Sequence, residues 1–369
     1  MRTLSICVVA ACGRIGFDAH NDTAGDAALG PSVFGYAIAE VNSLTPPPAI
    51  TTIAAFTLDP ASGAVVERPG LDLGARPQFV LAGRHGSALY ATSRDTGTIF
   101  TLRVDRLTGA LSPLGEVAAA AWPHAMVIDP SGSWLYASDW SSGLVWGYTI
   151  ASDDTLSPLS GSPWTYAGTS STTLAVEPTG RWLYAVDANT QLYGFAIAAD
   201  GTLVVQPAIT WPSNDSYPMA AVFDGSGRYG FIAPTSSGGV PGFTLDVATG
   251  ALSTTPGSKF PVLANTDEFE AVSASGDVLL FPYEGGPTSI EAFRIAGDGS
   301  VANLPGSPLA WPGGSISVAA SPLGNLAVFS DAQQRVVVHA DTQAGLEFVG
   351  SQALATMPRP YQVVLAKAP

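Results

Sequence analysis

One glycine-marked unit repeats along almost the whole chain, and that repeat limits the folds available to it. Trp122 to Ile150, WPHAMVIDPSGSWLYASDWSSGLVWGYTI, is its clearest copy. It contains a turn, an apolar strand (AMVID), a tight turn (PSG), a second strand (WLYAS), a polar loop and a third strand (LVWGYTI). Val, Ile, Leu, Tyr and Trp fill the strands, and Pro, Ser, Gly and Asp mark the breaks, as strand and hairpin chemistry requires. The turn glycine recurs at Gly86, Gly132, Gly180, Gly227, Gly276 and Gly324, at intervals of 46, 48, 47, 49 and 48 residues. Four positions on stand Tyr90, Tyr136, Tyr184, Phe231, Leu280 and Val328. A second turn opens the last strand in five of these units, at Gly109-Ala-Leu111, Asp154-Thr-Leu156, Gly201-Thr-Leu203, Gly250-Ala-Leu252 and Gly299-Ser-Val301, and an earlier copy is Gly63-Ala-Val65. About four strands per repeat at this period describe one propeller blade.

The spacing predicts an all-β, seven-bladed β-propeller with four-stranded antiparallel blades. The glycine turns define six complete blades. The first blade has later strands near Val33–Ile38, Ile53–Leu58 and Val65–Arg68, but no inner strand precedes them. The tail from Arg359 to Ala366 reads as an opening strand with no continuation. The C-terminal strand is therefore expected to pair into the first blade and close the ring, which removes two exposed strand edges. Composition agrees. Of 369 residues, 40 are Gly and 29 are Pro, which suits a turn-dense β protein.

The formal net charge is −15, and Lys259 and Lys367 are the only lysines. Nucleic-acid binding needs a basic face to neutralise phosphates, so that class is disfavoured. At the N-terminus, Arg2 precedes a short apolar run and then Val9-Ala10-Ala11-Cys12. This resembles a bacterial lipoprotein signal, in which small residues precede the cysteine that takes the lipid. The expected layout is a signal over residues 1–12, a polar tether over 13–30 and the propeller over 31–369. Lipid on Cys12 would anchor a monomer at the bacterial cell envelope, on the periplasmic or the outer surface.

Blade three carries the most suggestive polar residues. His124 stands at the entry of its inner strand and Asp139 at the end of its second. Strand entries and inter-strand loops can converge on one rim, where a His beside a carboxylate can act as a general base. Asp at a strand end also caps turns through its own side chain. Asp187 and Asp331 repeat the Asp139 position in blades four and seven, which argues for a turn role first and an acidic channel mouth second. Arg94, Asp95, Trp140 and Glu284 complete the candidate ligand-binding set. His85 lies on a tight outer turn. No metal-binding loop, haem signature or other cofactor motif occurs. Trp122, Trp211 and Trp311, each followed by proline, stand before blade starts and read as packing between sheets.

The units DPSGSWLYASD and EPTGRWLYAVD, with the trailing TGALS turns at Thr108–Ser112 and Thr249–Ser253, resemble the lactonase-type β-propellers. That family includes 6-phosphogluconolactonase-like and YVTN-type repeat propellers. The resemblance spans roughly residues 31–369 and implies the scaffold more strongly than an activity. It matches His124 and Asp139 to a site His and the first site Asp. It also implies an Arg-His pair and an Asn-Glu in the next blade, where this chain has Thr172-Thr173 and Asp187-Ala188. The basic residues for a phosphorylated sugar and the candidate catalytic Glu are thus absent, so the chain is not a typical 6-phosphogluconolactonase. The expectation is a binding or scaffold module at the envelope for a protein, glycan or small molecule. The alternative is a divergent lactonase with a His124/Asp139 site.

Overall fold

A computed structural model describes residues 33–39, 50–188, 191–207, 209–210, 218–234, 239–262, 271–272, 276–282, 289–310, 315–320, 326–331, 335–342, 345–354 and 360–367. The described residues form an all-β propeller of four-stranded antiparallel blades, with no helix among them. Seven separate sheets are present, and three of them have an outer edge split into two short strands.

In blade three the order outward is Pro123–Ile128, Trp134–Asp139, Leu144–Ile150, then Leu156–Pro158 with Trp164–Thr165. Blade two repeats this with Phe79–Ala82, Ala88–Ser93, Thr98–Val104 and Leu111–Ala118. Blade four does so with Ser171–Val176, Trp182–Asp187, Gln191–Ile197 and Leu203–Val205. The sheet that begins the chain takes its inner strand from the other end. Pro360–Lys367 pairs antiparallel with Val33–Ala39, Val33 facing Lys367. Gln362 extends a buried amide from that strand to blade two. Its Oε1 accepts from Val80 N at 2.8 Å and its Nε2 donates to Val80 O at 3.1 Å. On the other side, Val363 N donates to Ser317 Oγ at 3.1 Å.

The core lies between the sheets. Each of the seven apolar clusters joins two neighbouring sheets. For example, Phe79 and Tyr90 pack with Met126 and Leu135, and Phe34 and Tyr36 pack with Val80 and Leu102. A sheet packed on both faces buries both faces of its strands, which explains why Leu135 to Asp139 is buried at every position. Each fully buried large apolar side chain contributes about 1.5–3 kcal/mol.

The repeat itself is held by hydrogen bonds. The turn between the first two strands is wrapped around a buried carboxylate. Asp129 accepts from the backbone N–H of Ser131, Ser133 and Trp134 at 2.7–2.8 Å. Glu177 holds Thr179, Arg181 and Trp182 in the same way, and Asp224 holds Ser226 and Tyr229. Neighbouring blades are tied by tyrosine hydroxyls that donate to the carbonyls of the next blade's outer turn. These run Tyr36 to Gly109, Tyr90 to Asp154, Tyr136 to Gly201, Tyr184 to Gly250 and Tyr229 to Gly297, at 2.7–3.0 Å.

Candidate functional site on one rim

Antiparallel pairing places the start of each inner strand beside the end of the second. Pro123 faces Asp139, Ser171 faces Asp187 and Ser315 faces Asp331. Strand entries and second-to-third-strand loops therefore share one rim, and the glycine turns lie at the other. The pairing register shifts between Pro123 and Met126, and again between Ser171 and Thr173, Pro218 and Ala220, and Ser315 and Ser317. Such irregularities change the aim of a side chain. His124 occupies the irregular step of blade three.

In blade two the exposed pair Arg94-Asp95 divides its work. Asp95 takes a forked bond from Arg76, with Nε to Oδ2 at 2.8 Å and NH2 to Oδ1 at 2.5 Å. The Arg76 guanidinium holds the Asp95 carboxyl below the usual carboxylate range. This pair is about one-third exposed on both sides and contributes roughly 0–1 kcal/mol. Arg94 turns the other way. Its guanidinium carbon lies 3.3 Å from the centroid of Trp122, the residue that leads into blade three. Arg94 makes no ion pair among the described residues.

In blade three, His124 has no exposed surface. Its ring lies 4.6 Å from Trp140, tilted by 49°, and Trp140 lies 6.2 Å from Trp122, tilted by 44°. A backbone bond from Trp140 N to Trp122 O at 3.0 Å holds the two tryptophans together. Both are half-buried. Asp139 is buried, and its carboxylate folds the following loop. Oδ1 accepts from Ser141 N at 2.9 Å and Ser141 Oγ at 2.8 Å, and Oδ2 accepts from Ser142 Oγ at 2.9 Å. This is the capping chemistry that suits Asp at a strand end.

Asp187 occupies the equivalent place in blade four but folds the incoming segment. Its Oδ2 accepts from Thr169 N at 2.8 Å and Ser170 N at 3.0 Å. Tyr166, which sequence reasoning did not single out, stands between the two aspartates. Its backbone N donates to Gly143 O at 2.9 Å, and its ring lies 4.6 Å from Tyr193. Burial pushes its hydroxyl well above the ordinary tyrosine range, and the Asp187 and Asp139 charges add to the shift. Tyr166 is therefore a neutral, proton-bearing group. A Cβ at Gly168 would sit 2.2 Å from the Tyr166 ring and 2.7 Å from Asp187 Oδ2, so only glycine fits there.

The backbone of Asp331 reaches the same rim in blade seven. Glu284 and Cys12 lie outside the described residues, as do Trp211 and Trp311. His85 is exposed beside its turn. Among the described residues, no three His, Cys, Asp or Glu side chains converge to hold a metal ion. The rim of blades two to four thus gathers Arg94, Trp122, Trp140 and His124. It offers aromatic surface and a cation, with a buried imidazole beneath.

Residues 48–162 match the family model described as lactonase, 7-bladed beta-propeller. No curated protein matches the sequence. Among solved structures the chain is similar to a candidate 6-phosphogluconolactonase from Bacteroides uniformis, with TM-score 0.74 and 17% identity over 91% of this chain and 99% of that one. It is also similar to a candidate 6-phosphogluconolactonase from Bacteroides fragilis, with TM-score 0.75 and 15% identity over 94% and 99% of the two chains. A third similar structure is the periplasmic gluconolactonase of Pseudomonas aeruginosa, with TM-score 0.72 and 16% identity over 92% and 100%. At these identities the likeness concerns the fold.

Proposed function

We propose that this lactonase-like propeller is a binding module, and that it holds its ligand at the rim of blades two to four. In this reading the sheets close into one seven-bladed ring, with the C-terminal strand completing the first blade. Lipid on Cys12 and a tether over residues 13–30 hold the ring at the cell envelope. The observation that carries the reading is the use already made of the two candidate catalytic groups. Asp139 engages Ser141 and Ser142 through both carboxylate oxygens, and His124 lies wholly beneath Trp140. A general base must come within hydrogen-bond reach of the proton it removes, and a fully buried imidazole is far from solvent and ligand. Half-exposed Trp122 and Trp140, by contrast, suit stacking.

The test is hydrolysis of a panel of lactones by the full chain beside its His124→Ala variant. The binding reading expects no turnover from either protein. Turnover that disappears in His124→Ala would overturn it and establish the divergent lactonase, with its site in blade three.

A further inference from the structure

We infer that Arg94 and Trp122 form a carboxylate-binding site, and that its ligand is a small hydroxylated ring bearing one carboxylate, of the hexuronate class. This rests on the rim-binding reading above and assigns the chemistry of the ligand.

The argument is a count of donors and acceptors. Arg94 presents five N–H donors and no acceptor. The Trp122 Nε1–H is buried and has no hydrogen-bond partner among the described residues. The Ser93 hydroxyl, next to Arg94 in the chain, is also buried and without a partner there. Arg94 covers Trp122 and cannot accept its proton. Three nearby acceptors hold other partners. Asp95 accepts from Arg76, Asp139 from Ser141 and Ser142, and the Trp122 carbonyl from Trp140 N. Buried donors rarely stay unsatisfied, and among the described residues this cluster lacks an acceptor.

An anion supplies it best. A guanidinium already oriented on an aromatic face loses little freedom when a carboxylate takes its fork. Arg94 stands on Trp122 as a single guanidinium and makes no ion pair among the described residues, in a chain of net charge −15. One negative charge therefore fits, and a phosphate dianion or a polyanion fits poorly. The tilted, half-exposed face of Trp140 suits the C–H face of a sugar ring.

The experiment titrates the full chain with D-glucuronate, D-glucose and D-glucose 6-phosphate, read by calorimetry and tryptophan fluorescence. Arg94→Gln and Trp140→Ala are measured alongside, with circular dichroism to confirm their fold. Glucuronate is expected to bind about tenfold or more tightly than glucose, as a charge-assisted bond requires. Arg94→Gln should remove that preference. The inference falls if glucuronate binds no tighter than glucose, if the preference survives in Arg94→Gln, or if the phosphate ester binds tightest. Glucose binding that is lost in Trp140→Ala, without any preference for the acid, would leave the rim reading standing. His124-dependent lactone turnover would remove the rim reading itself.

Discussion

The Tyr136 hydroxyl donates a 2.7 Å bond to the carbonyl of Gly201, 65 residues further along the chain. Donor and acceptor belong to neighbouring blades, and both are buried. Five such bonds join successive blades from the first to the sixth. The repeat thus encodes its own docking contact. Replacing Tyr136 with Phe would leave a buried carbonyl without its donor, at a cost of about 1–2 kcal/mol. The denaturant midpoint should fall with an unchanged slope. An unchanged midpoint would mean that the bond adds nothing to stability.

Gly201 also shows how one blade limits the next. A Cβ there would lie 2.5 Å from the Trp134 indole, and its φ is +82°. Gly250 faces Trp182 and Gly109 faces Phe34 in the same manner. Blade three differs. Asp154 holds this place at φ 69°, and the residue matching Trp134 in blade two is Ala88. Gly201→Ala should therefore cost about 2–4 kcal/mol, from left-handed strain and overpacking. Adding Trp134→Ala should reduce that cost in a double-mutant cycle. Asp154→Gly should change stability by no more than about 1 kcal/mol.

The C-terminal strand offers a third test. Gln362 satisfies both the N–H and the C=O of Val80 in blade two. Gln362→Leu keeps similar bulk and leaves two buried backbone groups unpaired, a loss of about 2–4 kcal/mol. Hydrogen exchange should rise first at Val80 and along Pro360–Lys367. Protection that stays uniform would show that the amide is dispensable.

Acid should weaken the outer turns. Asp105, Asp153, Asp200, Asp246 and Asp298 are exposed, and hydrogen bonds, first from a Thr or Ser hydroxyl, hold their carboxyls below the usual range. In Asp59 the first cause is the Ala61 N–H. A lowered folded value stabilises above the unfolded carboxylate pKa, and the gain disappears as pH falls through the folded value. Asp200→Ala should thus melt below the wild type near neutral pH, and the gap should shrink as the buffer is acidified through the carboxylate range. A gap that widened in acid would contradict this sign.

The sequence by itself determined the architecture, because blade chemistry is local and recurs. Gly132, Tyr136 and Asp154 each have counterparts at a fixed spacing, so strands, turns and the rim shared by His124 and Asp139 were legible before any coordinates. The capping role of Asp139 was legible too, since its partners Ser141 and Ser142 lie two and three residues away. Only the tertiary structure decided what meets across the ring. Arg94 on Trp122, Trp140 over His124, Tyr166 between Asp139 and Asp187, and Gln362 on Val80 join residues of different strands or blades. No local pattern marks these contacts. They follow from the register of paired strands and from how closely adjacent sheets stack, which the whole ring sets at once.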